Sequence, residues 1–203
     1  MLVYVMCALA CVIAYVLGGI PSAYLIGKAF GNVDIRTQGS GNVGSTNVAR
    51  TLGAKAGILT LVSDILKAVV AVLIGKLLIG VVGAGAIETT APGGVYDWCA
   101  ALVYLAVILG HMFTPFLHFH GGKGIASGFG GAVVLMPWAG LSLWGPFLIF
   151  AVSTRYVSLG SIAGALSLPI FANLFYQPSV AFTVIVCIVS ALVFWGHRSN
   201  IKK

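Results

Sequence analysis

Charged residues are scarce in this chain. Only 7% of its 203 residues are Asp, Glu, Lys or Arg, and its mean hydropathy is +1.07. Soluble domains carry roughly 25% charged residues, so a chain this poor in charge cannot cover the surface of a water-soluble fold. Apolar runs of membrane-spanning length recur along the whole sequence. The composition therefore excludes a soluble protein and predicts an integral membrane protein, built as one domain over residues 1–203.

Acidic residues are rarer still: four stand against eleven Lys and Arg, which gives a net charge of +7. So few acids leave no pair of carboxylates to spare for general acid–base catalysis. The basic surplus does not indicate nucleic-acid binding, because the bases are scattered between apolar spans and most of them are explained as residues that fix membrane orientation. Arg50, Lys123 and Arg155 are the exceptions, since each lies in a polar motif.

Sites built on cysteine or on a catalytic histidine dyad are also lacking. The four cysteines form no CxxC pair and have no histidine at zinc-ligand spacing, so neither a metal site nor a disulfide framework is predicted. A His-x4-Asp acyltransferase dyad is missing, because Phe116 occupies the fifth position after His111. The N-terminus lacks the basic region of a signal peptide, so its apolar run is expected to be a retained first span.

Hydropathy predicts membrane spans at about residues 2–26, 56–80, 98–116, 158–175 and 180–195. Residues 125–156 are apolar too, but Pro137 and Pro146 divide them into halves that are short for a full crossing. They form either two short tilted helices or a re-entrant pair. The predicted fold class is an all-α polytopic membrane protein with about seven transmembrane helices, or five if residues 125–156 are re-entrant.

The basic residues set the orientation of this map. Most of them fall on one side, and the positive-inside rule puts that side in the cytoplasm. The N-terminus is then outside and the C-terminus cytoplasmic, and every polar motif lies on the cytoplasmic face, where remote segments can meet. The basic residues on this side are Lys28, Arg36, Arg50, Lys55, Lys123, Arg155, Arg198, Lys202 and Lys203.

A polar loop, QGSGNVGSTNVAR, occupies residues 38–50. Its glycines allow the backbone to adopt positive φ and to approach a ligand closely. Exposed amide groups in such a loop, followed by a helix that starts near Thr46, predict an anion site. Arg50 can then bind a phosphate through two N–H groups. The alternative is a flexible turn with an asparagine cap, which needs fewer of the small polar residues Ser40, Asn42, Ser45, Thr46 and Asn47.

A second glycine-rich stretch ends the segment GHMFTPFLHFHGGKG, residues 110–124. Gly121, Gly122 and Gly124 surround Lys123, which again places a cation in a flexible cradle. The stretch lacks the GxxxxGK[ST] spacing and no strand precedes it, so nucleotide hydrolysis is not predicted.

Two polar helix faces complete the candidate site. Ser158 and Ser161 are three residues apart and share a face near Arg155. His197 and Asn200 share a face at the end of the last span. Serine in a membrane helix also serves packing, and the nearby arginine is the reason to assign the serine pair to a site.

Three polar residues lie within the spans themselves. His111 is either a site residue or a hydrogen-bonded residue of the helix bundle. Asp64 and Lys67 are either a neutralising structural pair or a support beneath the 38–50 loop, and both interpretations stay open.

These segments resemble one known family, the bacterial acyl-phosphate:glycerol-3-phosphate acyltransferases. The resemblance rests on SGNVGSTNVAR, on GHMFTPFLHFHGGKGIASGFG, and on SLGSI together with the C-terminal HRSNI. It covers nearly the whole chain, including the order of the spans. His120 departs from the pattern, because relatives commonly have lysine before GGKG.

The resemblance implies a reaction and a location. A fatty acyl group moves from acyl phosphate to the 1-hydroxyl of glycerol 3-phosphate, the first acylation step of phospholipid synthesis, and lysophosphatidic acid and phosphate are released. No cofactor, metal, acyl-CoA, acyl carrier protein or obligate protein partner is expected. The protein would lie in the bacterial inner membrane with its site on the cytoplasmic face.

The resemblance also implies roles for individual residues. The residues expected to bind glycerol 3-phosphate are Arg50, Lys123, Ser161, His197 and Asn200. The residues expected around the acyl phosphate and the developing oxyanion are Ser40, Gly41, Asn42, Gly44, Thr46 and Asn47. We take Ser40, Asn42, Thr46, Asn47 and His197 as catalytic candidates. Further substrate-binding candidates are His111, Gly121, Gly122, Gly124 and Ser158.

The shortage of carboxylates near the motifs suggests catalysis by positioning and anion stabilisation rather than by a protein base. Acyl phosphate is an activated anhydride, and its own phosphate oxygens can accept the hydroxyl proton. An alternative from another class is a carrier for small organic phosphate anions, since broken helices and glycine-rich loops also build transport sites. No inverted repeat is evident in the sequence.

Overall fold

The structure is a computed structural model that describes residues 1–201, and within that range its regular secondary structure is helical, without strands. Lys202 and Lys203, which the sequence assigns to the cytoplasmic side, lie outside the described residues. A π-helical stretch, Leu77–Gly83, extends α4. The helices are α1 Leu2–Gly19, α2 Ser22–Gly31, α3 Ser45–Leu52, α4 Ala54–Lys76, α5 Asp97–Met112, α6 Ile125–Leu135, α7 Pro137–Ser142, α8 Trp144–Thr154, α9 Val157–Phe175, α10 Val180–Gly196 and α11 Arg198–Ile201.

Within residues 1–201, five helical segments are long and apolar enough to cross a membrane. They confirm the five long spans predicted from hydropathy. The first two extend further than predicted, to Gly31 and Gly83. Residues 125–154 instead form α6, α7 and α8, none of which exceeds 11 residues. The segments are Leu2–Gly31, Ala54–Gly83, Asp97–Leu117, Val157–Phe175 and Val180–Asn200.

The first membrane segment breaks between α1 and α2. Pro21 has no backbone N–H and cannot continue the hydrogen-bond ladder of α1. The break frees the carbonyl oxygen of Ile20, which accepts a hydrogen bond of 2.8 Å from Nζ of Lys67 on α4. A buried lysine therefore satisfies a backbone group that the broken helix exposes.

Small residues allow the central helices to pack closely around α5. A Cβ on Gly110 of α5 would lie against the carbonyl oxygen of Tyr15 on α1, and a Cβ on Gly18 against that of Val107. Close approach through glycine is typical of helix packing in membranes, where the hydrophobic effect does not hold helices together. The segment that contains α5 is the most enclosed of the five, with 67% of an 18-residue stretch within Asp97–Leu117 buried.

The end of the bundle where α5 and α10 begin is tied together by Asp97, and we call it the far end. The Asp97 carboxylate, fully buried, accepts hydrogen bonds from the backbone N–H of Gly93 at 3.0 Å, and from the N–H and hydroxyl of Ser179 at 2.8 and 2.6 Å. It therefore links the loop before α5 to the loop before α10. We call the opposite end, where α5 and α10 finish, the site end.

The segment α6–α8 runs from the site end to the far end and back. The backbone N–H of Trp138, at the start of α7, donates to the hydroxyl of Tyr176, which follows the last residue of α9. α8 then returns along α9, where Gly160 packs against Phe147 and Ala151. The segment ends at Arg155, back at the site end.

Candidate functional site

An open cavity of about 1350 Å³ occupies the site end. The four polar motifs of the sequence meet in its wall, as predicted from their positions, and α4 adds Leu61, Asp64 and Ile65. All sixteen candidate residues contribute to its wall. They are Ser40, Gly41, Asn42, Gly44, Thr46, Asn47, Arg50, His111, Gly121, Gly122, Lys123, Gly124, Ser158, Ser161, His197 and Asn200. Their convergence is a finding of the structure, while their individual roles stay predictions.

Asn47 organises the first loop. Its side chain is 2% exposed, and its amide nitrogen donates to the carbonyl oxygens of Ile35, Gln38 and Asn42 at 3.0–3.1 Å. Its amide oxygen accepts from the backbone N–H of Ser40 at 2.9 Å. Because both ends of the amide are used by the loop backbone, the side chain of Asn47 shapes the loop rather than facing a substrate.

Among the helices of residues 1–201 that begin at the cavity wall are α3 at Ser45, α6 at Ile125 and α9 at Val157. The helix expected near Thr46 is therefore confirmed, one residue earlier. A helix N-terminus carries partial positive charge from unpaired N–H groups and favours anions. The three helix starts therefore make the cavity suited to negatively charged ligands.

The glycine cradle at residues 121–124 packs on the end of α5. The N–H of Gly121 donates to the carbonyl of Met112 at 3.0 Å, and the N–H of Gly122 to that of His111 at 3.1 Å. A side chain on Gly121 would collide with the carbonyl oxygen of His111, and one on Gly122 with its ring nitrogen Nε2. The cradle needs glycine at both positions because of this close contact.

Lys123 reaches across the cavity to the C-terminal helix. Its Nζ donates to the side-chain oxygen of Asn200 on α11. Nδ1 of His197 lies 2.8 Å from the carbonyl oxygen of Val193. Because a carbonyl can only accept, Nδ1 must carry the proton, and in the neutral ring Nε2 is then an acceptor. The polar face at the end of the last span therefore meets the glycine cradle.

Arg155 and the serine pair lie together on another wall of the cavity. Arg155 adopts positive φ (61°) at the turn between α8 and α9. Ser158 and Ser161 follow in the first turns of α9, and the hydroxyl of Ser161 donates to the carbonyl of Val157 at 2.9 Å. The Ser161 oxygen thus keeps its lone pairs for a donor on a ligand.

The charged side chains of the cavity are mostly basic. Among the described residues, the lining includes five basic side chains and two acidic ones, a surplus of three. Both acids are close to bases: Asp34 contacts Arg36 at 2.7 Å and Asp64 contacts Lys67 at 2.7 Å. The Arg36 guanidinium lowers the pKa of Asp34 to about 2, so Asp34 is ionised at any ordinary pH. The five bases are Arg36, Arg50, Lys123, Arg155 and Arg198.

The deep part of the cavity is apolar and lies between α4, α6, α8 and α9. Two aromatic contacts form one wall: Trp144 packs edge-on against Phe129 and Phe147, with ring centres 5.5 and 5.4 Å apart. Leu61 and Leu168 line the same region. The cavity therefore offers a charged mouth and a hydrocarbon-like interior, which suits a ligand with an anionic head and an alkyl tail.

Sequence reasoning missed some cavity residues. Ser127 is fully buried in α6 and contacts both His111 and the backbone of Asp64, and nothing in its local sequence distinguishes it from a packing serine. The sequence placed Arg198 only among the bases that fix membrane orientation. It stacks at 3.7 Å over the ring of Trp195 and lines the cavity.

Comparison with known proteins assigns the chain to a family. The family model described as glycerol-3-phosphate acyltransferase matches residues 8–203. The glycerol-3-phosphate acyltransferase of Geotalea daltonii is 42% identical over 94% of this chain and 89% of its own length. The Clostridioides difficile protein of that name is 40% identical over 95% and 88%.

Two solved structures agree. They are crystal structures of PlsY (YgiH), an integral membrane glycerol 3-phosphate acyltransferase, in its glycerol 3-phosphate form (TM-score 0.83, 35% identity) and its lysophosphatidic acid form (TM-score 0.81, 34% identity). Each match covers 97% of this chain and 90% of the other. The resemblance seen in the sequence motifs is confirmed: the chain belongs to the family of integral membrane glycerol-3-phosphate acyltransferases.

Proposed function

We propose that this protein transfers a fatty acyl group from acyl phosphate to the 1-hydroxyl of glycerol 3-phosphate, releasing lysophosphatidic acid and inorganic phosphate. One observation carries the proposal. The same cavity joins a basic, donor-rich mouth to an apolar interior between helices. Both reactants are phosphate anions and one has an alkyl tail, so this single cavity satisfies both without acyl-CoA or an acyl carrier protein.

The two anions occupy different walls of the cavity. Arg50, Lys123 and Ser161 bind the phosphate of glycerol 3-phosphate. Nε2 of His197 accepts a hydrogen bond from a hydroxyl of the glycerol. Charge-assisted contacts from arginine to phosphate are strong and directional. Ser40, Asn42 and Thr46, with the loop glycines, surround the acyl phosphate and donate to the oxyanion that forms at its carbonyl.

Catalysis rests on alignment of the reactants rather than on a protein base. The two carboxylates at the cavity are each held by a basic partner, Asp34 by Arg36 and Asp64 by Lys67. The Arg36 guanidinium lowers the pKa of Asp34 to about 2, which makes that carboxylate a poor proton acceptor. An oxygen of the acyl phosphate can accept the hydroxyl proton as the new ester bond forms, and this oxygen then leaves with inorganic phosphate.

The chain crosses the membrane seven times, with the N-terminus outside and the site end in the cytoplasm of a bacterial inner membrane. The contact of Trp138 with Tyr176 supports two crossings by residues 125–154, because it brings the start of α7 to the far end. The distribution of basic residues supports the orientation. Those at the cavity lie at the site end, whereas Asp97 joins the loops of the far end.

The test is phosphate release by the purified protein in lipid nanodiscs, supplied with palmitoyl phosphate and glycerol 3-phosphate. We expect release to need both substrates. Arg50→Ala and Lys123→Ala should each lower kcat/KM by about 10- to 100-fold, the loss expected from one charge-assisted hydrogen bond. Lys55→Ala is the matched control, since Lys55 is an exposed base on the same side that does not line the cavity.

Several results would contradict the proposal. Wild-type protein that binds glycerol 3-phosphate but releases it unmodified would favour the carrier. Full turnover by both alanine variants would refute the site assignment. A pH–rate profile whose fall at acidic pH disappears with His197→Ala or His111→Ala would refute catalysis without a protein base.

A further inference from the structure

A group of buried polar residues lies beneath the glycine cradle, where α4, α5 and α6 meet. Asp64 and Lys67 on α4 form an ion pair of 2.7 Å, and their side chains are 3% and 7% exposed. His111 on α5 places Nδ1 3.7 Å from Oδ1 of Asp64. Ser127, 0% exposed, completes the group from α6. Burying ionised groups in a membrane costs free energy even when they are paired, because both lose their hydration. This group therefore calls for an explanation beyond packing.

The hydrogen bonds of Ser127 determine the state of the His111 ring. The Ser127 hydroxyl donates to the carbonyl oxygen of Asp64 at 3.1 Å, and its oxygen lies 3.2 Å from Nδ1 of His111. Because the single hydroxyl hydrogen goes to the carbonyl, the ring nitrogen must be the donor in the second contact. The neutral ring is thereby held with its proton on Nδ1 and its acceptor nitrogen, Nε2, on the opposite side.

The opposite side of the His111 ring is where the cradle lies. A side chain on Gly122 would collide with Nε2, and the carbonyl oxygen of His111 accepts from the N–H of Gly122. The residue after Gly122 is Lys123. The position of the His111 ring therefore determines how closely the backbone at Gly122 approaches α5. The backbone position of Gly122 in turn determines that of Lys123.

The Asp64–Lys67 pair has its own link to the surroundings. Lys67 also donates to the carbonyl of Ile20 at the break between α1 and α2. Nζ of Lys67 contacts Oδ1 of Asp64 at 2.7 Å without hydrogen-bond alignment, and no other hydrogen-bond partner reaches that atom within the described part of the chain. Asp64, His111 and Gly122 line a small polar cavity of about 10 Å³, which is room for one water.

We propose that Ser127 and the Asp64–Lys67 pair are positioning residues: they fix the orientation of His111 beneath Gly122 and thereby hold Lys123 where it binds the phosphate of glycerol 3-phosphate. This inference rests on the proposed function of Lys123. It assigns the group no contact with either substrate. Its consequence is selective, because the 38–50 loop proposed to hold the acyl phosphate is organised separately by Asn47.

The experiment compares KM for glycerol 3-phosphate with KM for palmitoyl phosphate in nanodiscs. We expect Ser127→Ala, and the double variant Asp64→Asn with Lys67→Met, to raise KM for glycerol 3-phosphate by about tenfold or more, since small displacements of a binding group cost one to two orders of magnitude. KM for palmitoyl phosphate should change less than about twofold. The double variant removes both charges together, so it leaves no unpaired buried ion.

Thr60→Val is the control for general damage to the α4 interface. Thr60 is 0% exposed, lies one turn before Asp64, and donates only to the carbonyl of Ala56 in its own helix. Thr60→Val should leave both KM values at the wild-type level. The only effect we expect is a smaller amount of folded protein. Gel filtration and thermal midpoints in detergent give the folded fraction for each variant.

Two failures can be told apart. If Lys123→Ala raises KM for glycerol 3-phosphate but the network variants do not, the positioning role is refuted and the proposed function stands. If Lys123→Ala leaves that KM unchanged, the assigned function of Lys123 fails and the positioning role fails with it. Loss of activity in proportion to folded protein, at constant KM, would mean that the group is only structural.

Discussion

At the scale of single residues, Asn47 best illustrates how one side chain sets the shape of a binding loop. Its amide nitrogen faces three carbonyl oxygens and its amide oxygen faces one N–H, so four segments of loop backbone depend on it. The loop uses the N–H donors of this side chain, and only the second lone pair of its amide oxygen is left over. Asn47 therefore acts on the reaction through the position of Ser40 and Asn42, whose backbones it holds.

Asn47→Asp tests this role with almost no change in volume. The substitution replaces a donor by a negatively charged acceptor that faces the carbonyls of Ile35, Gln38 and Asn42, so it removes hydrogen bonds worth about 1 kcal/mol each and adds repulsion. We expect kcat/KM to fall by at least about 100-fold while the protein stays folded. Kinetics and thermal midpoints in detergent measure the two effects.

Asn173→Asp provides the comparison for Asn47→Asp. Asn173 is exposed in α9, near the far end, and its amide nitrogen donates to the carbonyl of Pro169. The kcat/KM of the Asn173→Asp variant should match that of the wild-type protein. An Asn47→Asp variant with near-normal activity would mean that the loop does not depend on these bonds.

At the scale of elements, α6 packs on α4 through a glycine that leaves no room for a side chain. A Cβ on Gly130 would lie 2.5 Å from the carbonyl oxygen of Ile65, which is backbone and cannot rotate away. We expect Gly130→Ala to push α6 from α4 and to lower the stability by about 1–3 kcal/mol, as overpacking does. The thermal midpoint in detergent should fall.

Gly145→Ala is the matched change in α8, because no atom lies within 4 Å of its added Cβ. It should leave stability unchanged or raise it by up to about 1 kcal/mol, since alanine favours the helix. Equal effects of the two substitutions would show that the close contact between α6 and α4 is unimportant.

Hydropathy predicted the long helices well because a membrane span is recognised from the length and apolar content of its own sequence. The last two spans were predicted at residues 158–175 and 180–195 and are found at Val157–Phe175 and Val180–Gly196. Residues 125–154 could not be assigned in the same way, since Pro137 interrupts them and no helix there exceeds 11 residues. Their path depends on a long-range contact, between Trp138 and Tyr176, which local sequence does not encode.

The site was predictable to the extent that its chemistry is local. Glycines and bases in two short stretches indicated anion binding, and charge distribution placed them on one side. The support beneath them was not predictable, because Ser127 meets Asp64 across 63 positions of sequence. His111 and Asp64 were noted one at a time, and only the packing of α4 against α5 and α6 brings them together.

At the scale of the whole molecule, the two substrates need two environments. Their phosphate groups need a polar, basic site and the acyl tail needs an apolar one, and the two meet at the surface of a bilayer. The basic residues of the cavity lie at the site end, and apolar side chains such as Phe129 and Leu168 line its deeper part. In the orientation proposed above, a water-soluble phosphate reaches the site from the cytoplasm while an acyl tail stays among helices. The proposed mechanism therefore depends on the orientation of the entire chain.

Accessibility labelling tests that orientation and the number of crossings together. In a protein whose four cysteines are replaced by alanine, single cysteines are introduced by Val95→Cys, Trp138→Cys and His120→Cys, all at exposed positions. A membrane-impermeant maleimide applied to intact spheroplasts should label positions 95 and 138 at the far end, and position 120 only after lysis. Because Trp138 reaches Tyr176 at the end of α9, its labelling from outside requires that residues 125–154 cross twice. If position 138 is protected while position 95 reacts, the segment is re-entrant and five crossings remain. If position 120 reacts from outside, the orientation is inverted and cytoplasmic glycerol 3-phosphate could not reach the site.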